Sequence, residues 1–212
     1  MRSWWKPSGC RPEASTPKPG KPETKQAAIH PPLKPTVADT PAAAADSFTK
    51  VSESVHGCTT FTIDDPSHPG RFAIMTPGRE SELLVFTTDS YGESWKGPIR
   101  AGRTPGADVT RPDIAYSSAG TLALMWLAVN RDRSYTAWSA ISRDGGTRFS
   151  PPLKVSRAPS PSRASIRFRG NNWDGDDLSS LAVDDEFVHI VWADGRAGFL
   201  GAWYARVPLA SY

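Results

Sequence analysis

Two segments of the chain repeat one pattern of hydroxyl, polar, glycine and aromatic residues. Residues 88–95 read Thr-Asp-Ser-Tyr-Gly-Glu-Ser-Trp, and residues 142–149 read Ser-Arg-Asp-Gly-Gly-Thr-Arg-Phe. Both follow stretches rich in β-branched and aromatic residues, so each predicts a turn at the end of a strand. Hydroxyl and carboxylate side chains can bind the amides of such a turn, and glycine supplies positive φ. The repetition predicts a fold built from copies of one supersecondary unit.

Short strand candidates fill most of the chain after about residue 60. They are bounded by Gly, Pro, Asp or Ser, and they lie at 71–75, 83–88, 121–129, 135–142, 178–183, 187–192 and 202–207. Residues 113–126 also resemble residues 179–192, which adds a further copy of the unit. No stretch keeps an apolar period of 3.6 residues over several turns, so the sequence predicts an all-β fold almost without helix.

The two turn segments carry a family resemblance. Segment 142–149 fits the Asp box, Ser-x-Asp-x-Gly-x-x-(Trp/Phe), at every defining position, namely Ser142, Asp144, Gly146 and Phe149. Segment 88–95 fits it with Thr88, Gly92 and Trp95 but has Ser90 where the pattern has Asp. On these motifs, residues 59–208 resemble the sialidase superfamily, in which each Asp-box (BNR) repeat marks one blade of a β-propeller. The resemblance implies that these residues fasten the turn between the third and fourth strands of a blade.

The resemblance further implies a partial β-propeller of about three four-stranded blades, the last one incomplete. The blades are expected at 59–100, 113–155 and 178–207. Segments 191–196 and 203–207 look like the last-blade endings of large bacterial Asp-box proteins, so the fragment corresponds to the C-terminal half of a ring. Propellers close with about four to eight blades, so three leave open flanks that favour self-association. Three explanations stay open: a remnant of a longer propeller, two copies that close one ring, or a partial stack that persists with help from the tail.

Residues 1–47 differ from the rest of the chain in composition. They hold nine prolines among Lys, Thr and Ala, and proline fits neither a central strand nor a helix interior. We expect a disordered tail or linker at 1–47 and the propeller fragment at 48–212. The segment behind Met1 lacks the apolar region of a signal peptide, whereas the family resemblance implies a secreted or cell-surface protein.

Charge and cysteine content weigh against several partners. The net charge of +3 comes from the tail, so we expect no nucleic-acid partner. No apolar run reaches about eighteen residues, so we expect no membrane span. Cys10 and Cys58 are expected to be free thiols, with a disulfide as the alternative. No Cys/His cluster has metal-ligand spacing, and we expect no cofactor and no metal.

The resemblance places ligands on the propeller face formed by the loops between strands two and three and by the connections between blades. These loops are predicted at 76–81, 102–112, 130–134, 157–177 and 193–201, and they contain ten arginines. Guanidinium groups bind carboxylates with two hydrogen bonds, and sialidases resemble one another in using three arginines for the carboxylate of the sugar. We expect a glycan or an anionic small ligand, with candidate residues Arg111, Arg131, Arg133, Arg167, Arg169, Trp173 and Arg196. The alternative is that arginine lies on these loops because they are solvated.

Segment 165–177 is long for a connection between blades, and long loops on a rigid scaffold tend to be functional. It offers Trp173 for stacking on a sugar, or a cation site from Asp174, Asp176 and Asp177. The alternative is a solvated loop. Asp194 and Arg196 are expected to pair beside Trp192 and hold the last loop rather than to take part in catalysis.

The sequence does not supply a complete catalytic set. Sialidase-type hydrolysis needs a Tyr nucleophile with a supporting Glu, an Asp and three Arg, and the predicted ligand face holds only Glu80 and Glu82 as glutamates. The prediction is therefore a non-catalytic glycan-binding or scaffold propeller, or a remnant of a larger one. The alternative is an exo-α-sialidase-like glycoside hydrolase of which the chain holds a part. An adaptor that presents the Pro-rich tail as a peptide ligand is a third class.

Overall fold

The computed structural model describes residues 61–78, 80–161 and 179–212, and this part of the chain consists mainly of strands. Its strands form three antiparallel sheets. The first sheet contains β1 (Phe61–Asp64), β2 (Phe72–Pro77), β3 (Glu82–Thr88) and β4 (Lys96–Arg103). The second contains β5 (Asp108–Tyr116), β6 (Leu122–Val129), β7 (Tyr135–Ser142) and β8 (Leu153–Lys154). The third contains β9 (Ser180–Val183), β10 (Phe187–Asp194) and β11 (Gly201–Pro208), and a 3-10 turn at Leu209–Ser211 follows.

Each strand pairs with its neighbour in the chain, so each sheet is a meander in the order of the sequence. This is the connectivity of propeller blades, and the third blade contains three strands among the described residues. The all-β partial propeller predicted from the sequence is therefore confirmed.

The second sheet lies between the other two, and β6 shows why its sequence is apolar throughout. Alternate side chains of a strand point to opposite faces of the sheet. Leu122, Leu124 and Trp126 join the core shared with the first sheet, whereas Met125 and Leu127 join the core shared with the third. Because both faces are covered, Leu122–Val129 reads as one continuous apolar run.

The start of the second blade differs from the prediction. The sequence placed it at Asp113 with a loop at 102–112, but β4 extends to Arg103 and β5 begins at Asp108. The register shifts between Thr110 and Asp113, where Arg111 has a φ of +48°. This bulge breaks the alternation by which a strand is recognised in a sequence. Arg103 and Arg111 accordingly lie in strands and not in a loop.

The turn that joins β7 to β8 forms the hydrogen bonds expected of its sequence. The Gly146 amide donates to Ser142 Oγ at 2.8 Å, and Ser142 Oγ donates to Asp144 Oδ1 at 2.8 Å. Asp144 Oδ1 also accepts the Arg148 amide at 2.9 Å. Gly146 has a φ of +91°, which glycine adopts without strain. Phe149 is half-buried against the core between the first two sheets.

The turn that joins β3 to β4 forms the same arrangement despite its departure from the pattern at Ser90. The Gly92 amide donates to Thr88 Oγ1 at 3.2 Å, and Gly92 has a φ of +89°. Ser90 Oγ accepts the Ser94 amide at 3.0 Å, as Asp144 accepts that of Arg148. Trp95 is half-buried, and its Nε1 donates to the Gly92 carbonyl at 3.1 Å. A serine hydroxyl therefore takes the acceptor position of the missing carboxylate.

Asp113 joins the second sheet to the third. Its two carboxylate oxygens accept the amides of Ile114 at 2.8 Å and of Leu181 at 2.7 Å. Burial raises the pKa of Asp113, although both amide bonds act in the opposite direction. Leu181 belongs to β9, an edge strand of its sheet, so the carboxylate satisfies an amide that does not pair with β10. The bond connects β5 of the second blade to β9 of the third.

Candidate functional site

The connections between strands collect at two ends of the sheet stack. One end, here called the loop face, carries the connections β2–β3, β4–β5, β6–β7, β8–β9 and β10–β11. Hydrogen bonds between distant segments hold this end together. Ser81 Oγ in the β2–β3 connection donates to Asp108 at the start of β5 at 2.8 Å, and the Gly195 amide donates to Ser160 Oγ at 2.9 Å. The two turns described above lie at the opposite end. The loop face is the end at which the sequence predicts a ligand.

The arginines predicted to bind a ligand have different positions. Arg131 and Arg133 lie in the β6–β7 loop, where Arg131 is exposed and Arg133 has a φ of +70°. Arg111 lies at the bulge of β5. Arg167, Arg169 and Trp173 fall outside the described residues, as do Asp174, Asp176 and Asp177 and the cysteines at 10 and 58.

The β6–β7 loop is closed by short-range hydrogen bonds. The Asn130 amide donates to the Ser134 carbonyl at 2.8 Å. The amide and hydroxyl of Ser134 donate to Asp132 Oδ1 at 2.9 and 2.7 Å. These bonds lower the pKa of Asp132, the hydroxyl of Ser134 contributing most. The loop thus holds the backbone of both arginines in a defined turn.

The β10–β11 loop is organised around a fully buried carboxylate. Asp194 has no exposed surface and accepts hydrogen bonds from Trp192 Nε1 at 3.0 Å, the Arg196 amide at 2.9 Å and Arg196 Nε at 3.0 Å. A further bond comes from a terminal guanidinium nitrogen of Arg196. Burial raises the pKa of Asp194, but the bonds from Arg196 and Trp192 outweigh burial and hold the pKa below its usual value. The pairing expected between Asp194 and Arg196 is present.

Arg196 also connects this carboxylate to an aromatic side chain on β11. Its guanidinium donates to the Ala158 carbonyl at 3.1 Å and lies 4.6 Å from the ring centroid of Trp203. These contacts connect the β10–β11 loop to the β8–β9 connection and to β11. Phe199, in the same loop, is 66% exposed, and Trp203 is 36% exposed. Neither aromatic residue was among the predicted site residues; the available signal was an aromatic side chain in or beside a glycine-rich loop.

The carboxylates of the first blade at the loop face also have partners. Glu82 is buried at the start of β3, and its Oε2 lies 3.1 Å from Arg100 Nε without forming a hydrogen bond in the described part of the chain. Glu80 Oε2 lies 3.8 Å from a guanidinium nitrogen of Arg103, and both side chains are exposed. Both glutamates considered as catalytic partners therefore lie near arginines.

A chain of polar side chains crosses the third sheet on the face turned away from the second sheet. His189 Nε2 lies 2.8 Å from Asp184 Oδ2, and His189 Nδ1 lies 2.8 Å from the Tyr204 hydroxyl. The hydrogen bond with His189 and the amides of Glu186 and Phe187 lower the pKa of Asp184 to about 2. Arg206 covers the Phe187 ring at 4.4 Å. The equivalent faces of the first two sheets are buried and apolar, so this polar face is peculiar to the third.

Within 61–78, 80–161 and 179–212, the structure contains no group of three or more His, Cys, Asp or Glu side chains that could hold a metal ion. In the same residues, no helix is long and apolar enough to span a bilayer.

No protein-family model and no curated protein matches the chain. It is similar to the solved structure of a Penicillium chrysogenum alpha-L-arabinanase complexed with arabinobiose, with 13% identity, 69% of this chain and 48% of that one covered, and a TM-score of 0.48. It is also similar to a protein of unknown function from Dyadobacter fermentans, with 15% identity, 66% of this chain and 35% of that one covered, and a TM-score of 0.41. The similarity to a Hadza microbial sialidase has 13% identity, covers 64% of this chain and 32% of that one, and has a TM-score of 0.40.

The chain spans half or less of the length of these proteins. Glycoside hydrolases recur among the similar structures, which also include a family 117 enzyme from Zobellia galactanivorans. The fold assignment itself rests on the strand order and the registers of the three sheets.

Proposed function

We propose that the chain is a sialidase-like propeller module that binds a glycan at its loop face and does not hydrolyse it. The observation that carries this proposal is that Asp194, a fully buried carboxylate among the described residues of the loop face, is committed to structural partners. Asp194 accepts four hydrogen bonds, and Glu82 lies beside Arg100. A retaining glycosidase needs two carboxyl groups about 5 Å apart that are free to act as acid and nucleophile. Carboxylates engaged in this way hold loops in place and so favour binding over catalysis.

The binding groups in this proposal are the arginines of the loop face and the aromatic residue of the long connection. Arg131 is exposed at the tip of a loop whose backbone is fixed by its own hydrogen bonds. With Arg111, Arg133, Arg167 and Arg169, it would offer guanidinium groups to a carboxylate or to sugar hydroxyls. Trp173 would stack on a sugar ring. Arg196 would act indirectly, by orienting its loop.

A glycan array and a fluorogenic sialoside assay on the purified full chain test the proposal. We expect binding to at least one glycan and no turnover of the sialoside. Arg131→Gln and Trp173→Ala are expected to weaken the array signal, whereas Asp144→Asn, at the opposite end of the sheets, is expected to leave it unchanged. Robust turnover would overturn the non-catalytic assignment and support the alternative, an exo-α-sialidase-like hydrolase. Absence of any glycan signal together with absence of turnover would overturn both.

We further propose that the chain self-associates through its open sheet edges. In the third sheet, β11 pairs with β10 on one side and is the edge strand on the other. Edge strands present unpaired amide and carbonyl groups to other chains. Size-exclusion chromatography with light scattering is expected to show a dimer if two copies close a ring, and a strictly monomeric chain would refute self-association.

A further inference from the structure

The third sheet differs from the other two at its outer edge. In the first and second sheets, the third strand pairs with a fourth strand, β4 or β8. Among the residues that the structure describes, β11 pairs with β10 alone, and no described strand lies on its other side. The outward backbone groups of an edge strand bind extended segments of other chains. A strand added at this edge would complete the third blade.

β11 repeats the sequence and the register of β7. Both strands contain the pattern Ala-Trp-x-Ala, at 137–140 in β7 and at 202–205 in β11. In each strand, the tryptophan of this pattern pairs with a tryptophan of the preceding strand, Trp126 or Trp192. The two strands therefore occupy the same place in their blades, and the segment that pairs with β7 indicates what β11 can pair with.

The outer edge of β7 is bound by the segment Lys154-Val155-Ser156. The lysine lies opposite Trp138 of β7. The amide of the valine donates to the Ala137 carbonyl at 2.8 Å, and the Ala137 amide donates to the serine Oγ at 3.1 Å. The sequence Lys-Val-Ser thus satisfies both backbone groups of the first alanine in Ala-Trp-x-Ala.

The sequence Lys-Val-Ser occurs at one further place in the chain, residues 50–52. This segment lies outside the described residues, and residues 53–60 separate it from β1. In the same way, the short connection 104–107 separates the fourth strand β4 from β5, the first strand of the next blade. By its place in the chain, segment 50–52 therefore corresponds to the fourth strand of a blade that stands before the first one.

A single chain does not place its third blade before its first. The second sheet lies between the other two, so β1 and the third sheet are about two sheet spacings apart, on the order of 20 Å. A connection inside one chain would have to pass the second sheet to reach the outer edge of β11. A second copy removes this detour, because its first blade can stand directly beside the third blade of the other copy.

We propose that residues 50–52 of a second copy pair with β11 and supply the fourth strand of the third blade. Two copies exchange this segment around a two-fold axis, and their blades close one ring. The register of β8 against β7 places Val51 of the second copy opposite Ala202, with the following serine as acceptor for the Ala202 amide. The inference rests on the self-association proposed above and names the segment and the strand that carry it.

Disulfide trapping in the full chain tests the register. In a background of Cys10→Ser and Cys58→Ser, one chain carries Val51→Cys and another carries Ala202→Cys. Opposed residues of antiparallel strands have Cα atoms about 4.5–5.5 Å apart, within the range of a disulfide. We expect a disulfide-linked dimer after equimolar mixing and oxidation, and none from either chain alone. Val51→Cys mixed with Tyr204→Cys is the matched control, since diagonal positions lie about 7–8 Å apart and should give little cross-link.

A proline substitution tests the same pairing without cysteines. Val51→Pro removes the amide that corresponds to that of Val155, and proline cannot donate to a neighbouring strand. Light scattering over a dilution series is expected to show the dissociation constant of the dimer raised about tenfold, because a backbone hydrogen bond is lost in each exchanged strand. Val37→Pro makes the same substitution in the proline-rich tail and is expected to leave the dissociation constant unchanged.

The outcomes separate the exchanged strand from self-association in general. A dimer that is unaffected by Val51→Pro and gives no cross-link would overturn the exchange while self-association stands. A disulfide that forms within one chain carrying both Val51→Cys and Ala202→Cys, with no linked dimer from the mixed chains, would show that the edge is filled by the chain's own segment and would overturn the exchange. A strictly monomeric chain that gives no linked dimer would overturn both proposals.

Discussion

Replacement of Asp194 by asparagine removes the charge around which the β10–β11 loop is built. The buried carboxylate accepts from four donors, two at each oxygen: the Arg196 amide and Nε at Oδ1, and Trp192 Nε1 and a terminal nitrogen of Arg196 at Oδ2. Asparagine has the same shape, but its amide nitrogen donates. In either orientation of the side chain, this nitrogen meets two N–H donors.

The expected destabilisation is about 3 kcal/mol. Two charge-assisted bonds are lost at about 1.5–3 kcal/mol each, and a buried donor is left unpaired at about 1–3 kcal/mol. The Arg196 side chain is 23% exposed, so water can solvate it and reduce the sum. The effect should depend on pH, because hydrogen bonds hold the pKa of Asp194 below its usual value. The difference in unfolding free energy between the native chain and Asp194→Asn is then full above about pH 4, and it is lost as the pH falls through the lowered pKa of Asp194.

Equilibrium urea unfolding of the full chain, followed by tryptophan fluorescence at pH 7 and at pH 3, measures this difference. Asp89→Asn is the matched control, since Asp89 forms an exposed ion pair with Lys96 and its loss is expected to leave the midpoint unchanged. Adding Arg196→Met to each chain completes a double-mutant cycle, and we expect a coupling of about 2 kcal/mol between positions 194 and 196. A loss below about 1 kcal/mol in Asp194→Asn, or one independent of pH, would refute the central role of this carboxylate.

Three further outcomes are expected. Gly146→Val should destabilise by about 2–3 kcal/mol in urea unfolding, because its φ is +91° and the added Cβ would lie 2.7 Å from Thr87 Cγ2; an unchanged midpoint would contradict this. Ser90→Asp should leave the melting temperature equal or slightly higher, since a carboxylate accepts the same amide, and a marked drop would refute the equivalence of the two turns. Carboxyl NMR of His189→Leu should show the pKa of Asp184 rising from about 2 toward its ordinary value near 4. In the native chain, the stabilising effect of this pair is present above about pH 4 and is lost as the pH falls through about 2. A pKa of Asp184 that does not change in His189→Leu would count against His189 as the cause of the shift.

Much of the fold could be predicted because its signals are local. The turn at 142–149 closes through bonds that span only a few residues, such as that from the Gly146 amide to Ser142. The continuous apolar run of β6 marked a strand buried on both faces. The start of β5 was missed because the bulge at Arg111 breaks the alternating pattern by which strands are predicted.

The candidate site was less predictable because its geometry depends on residues far apart in the chain. The arginines could be placed near the loop face from the order of strands alone. Their partners could not be predicted, because the guanidinium of Arg196 contacts the carbonyl of Ala158 in the distant β8–β9 connection. Ser90 also shows that a departure from a motif can leave the structure of the turn unchanged, since the serine hydroxyl accepts a hydrogen bond as the carboxylate would.

By itself, the sequence determined the all-β class and the two turns closed by their own side chains, because strand alternation and turn hydrogen bonds act between residues close in the chain. The three blades were expected from the resemblance of these turns to the Asp box. Only the tertiary structure decided which charged side chains are buried in hydrogen bonds and which aromatic side chains are exposed to solvent. Asp194 and Phe199 lie in the same short stretch of sequence, yet one is fully buried and the other is 66% exposed. The physical reason is that exposure depends on which distant segments cover a side chain, and no local pattern encodes that.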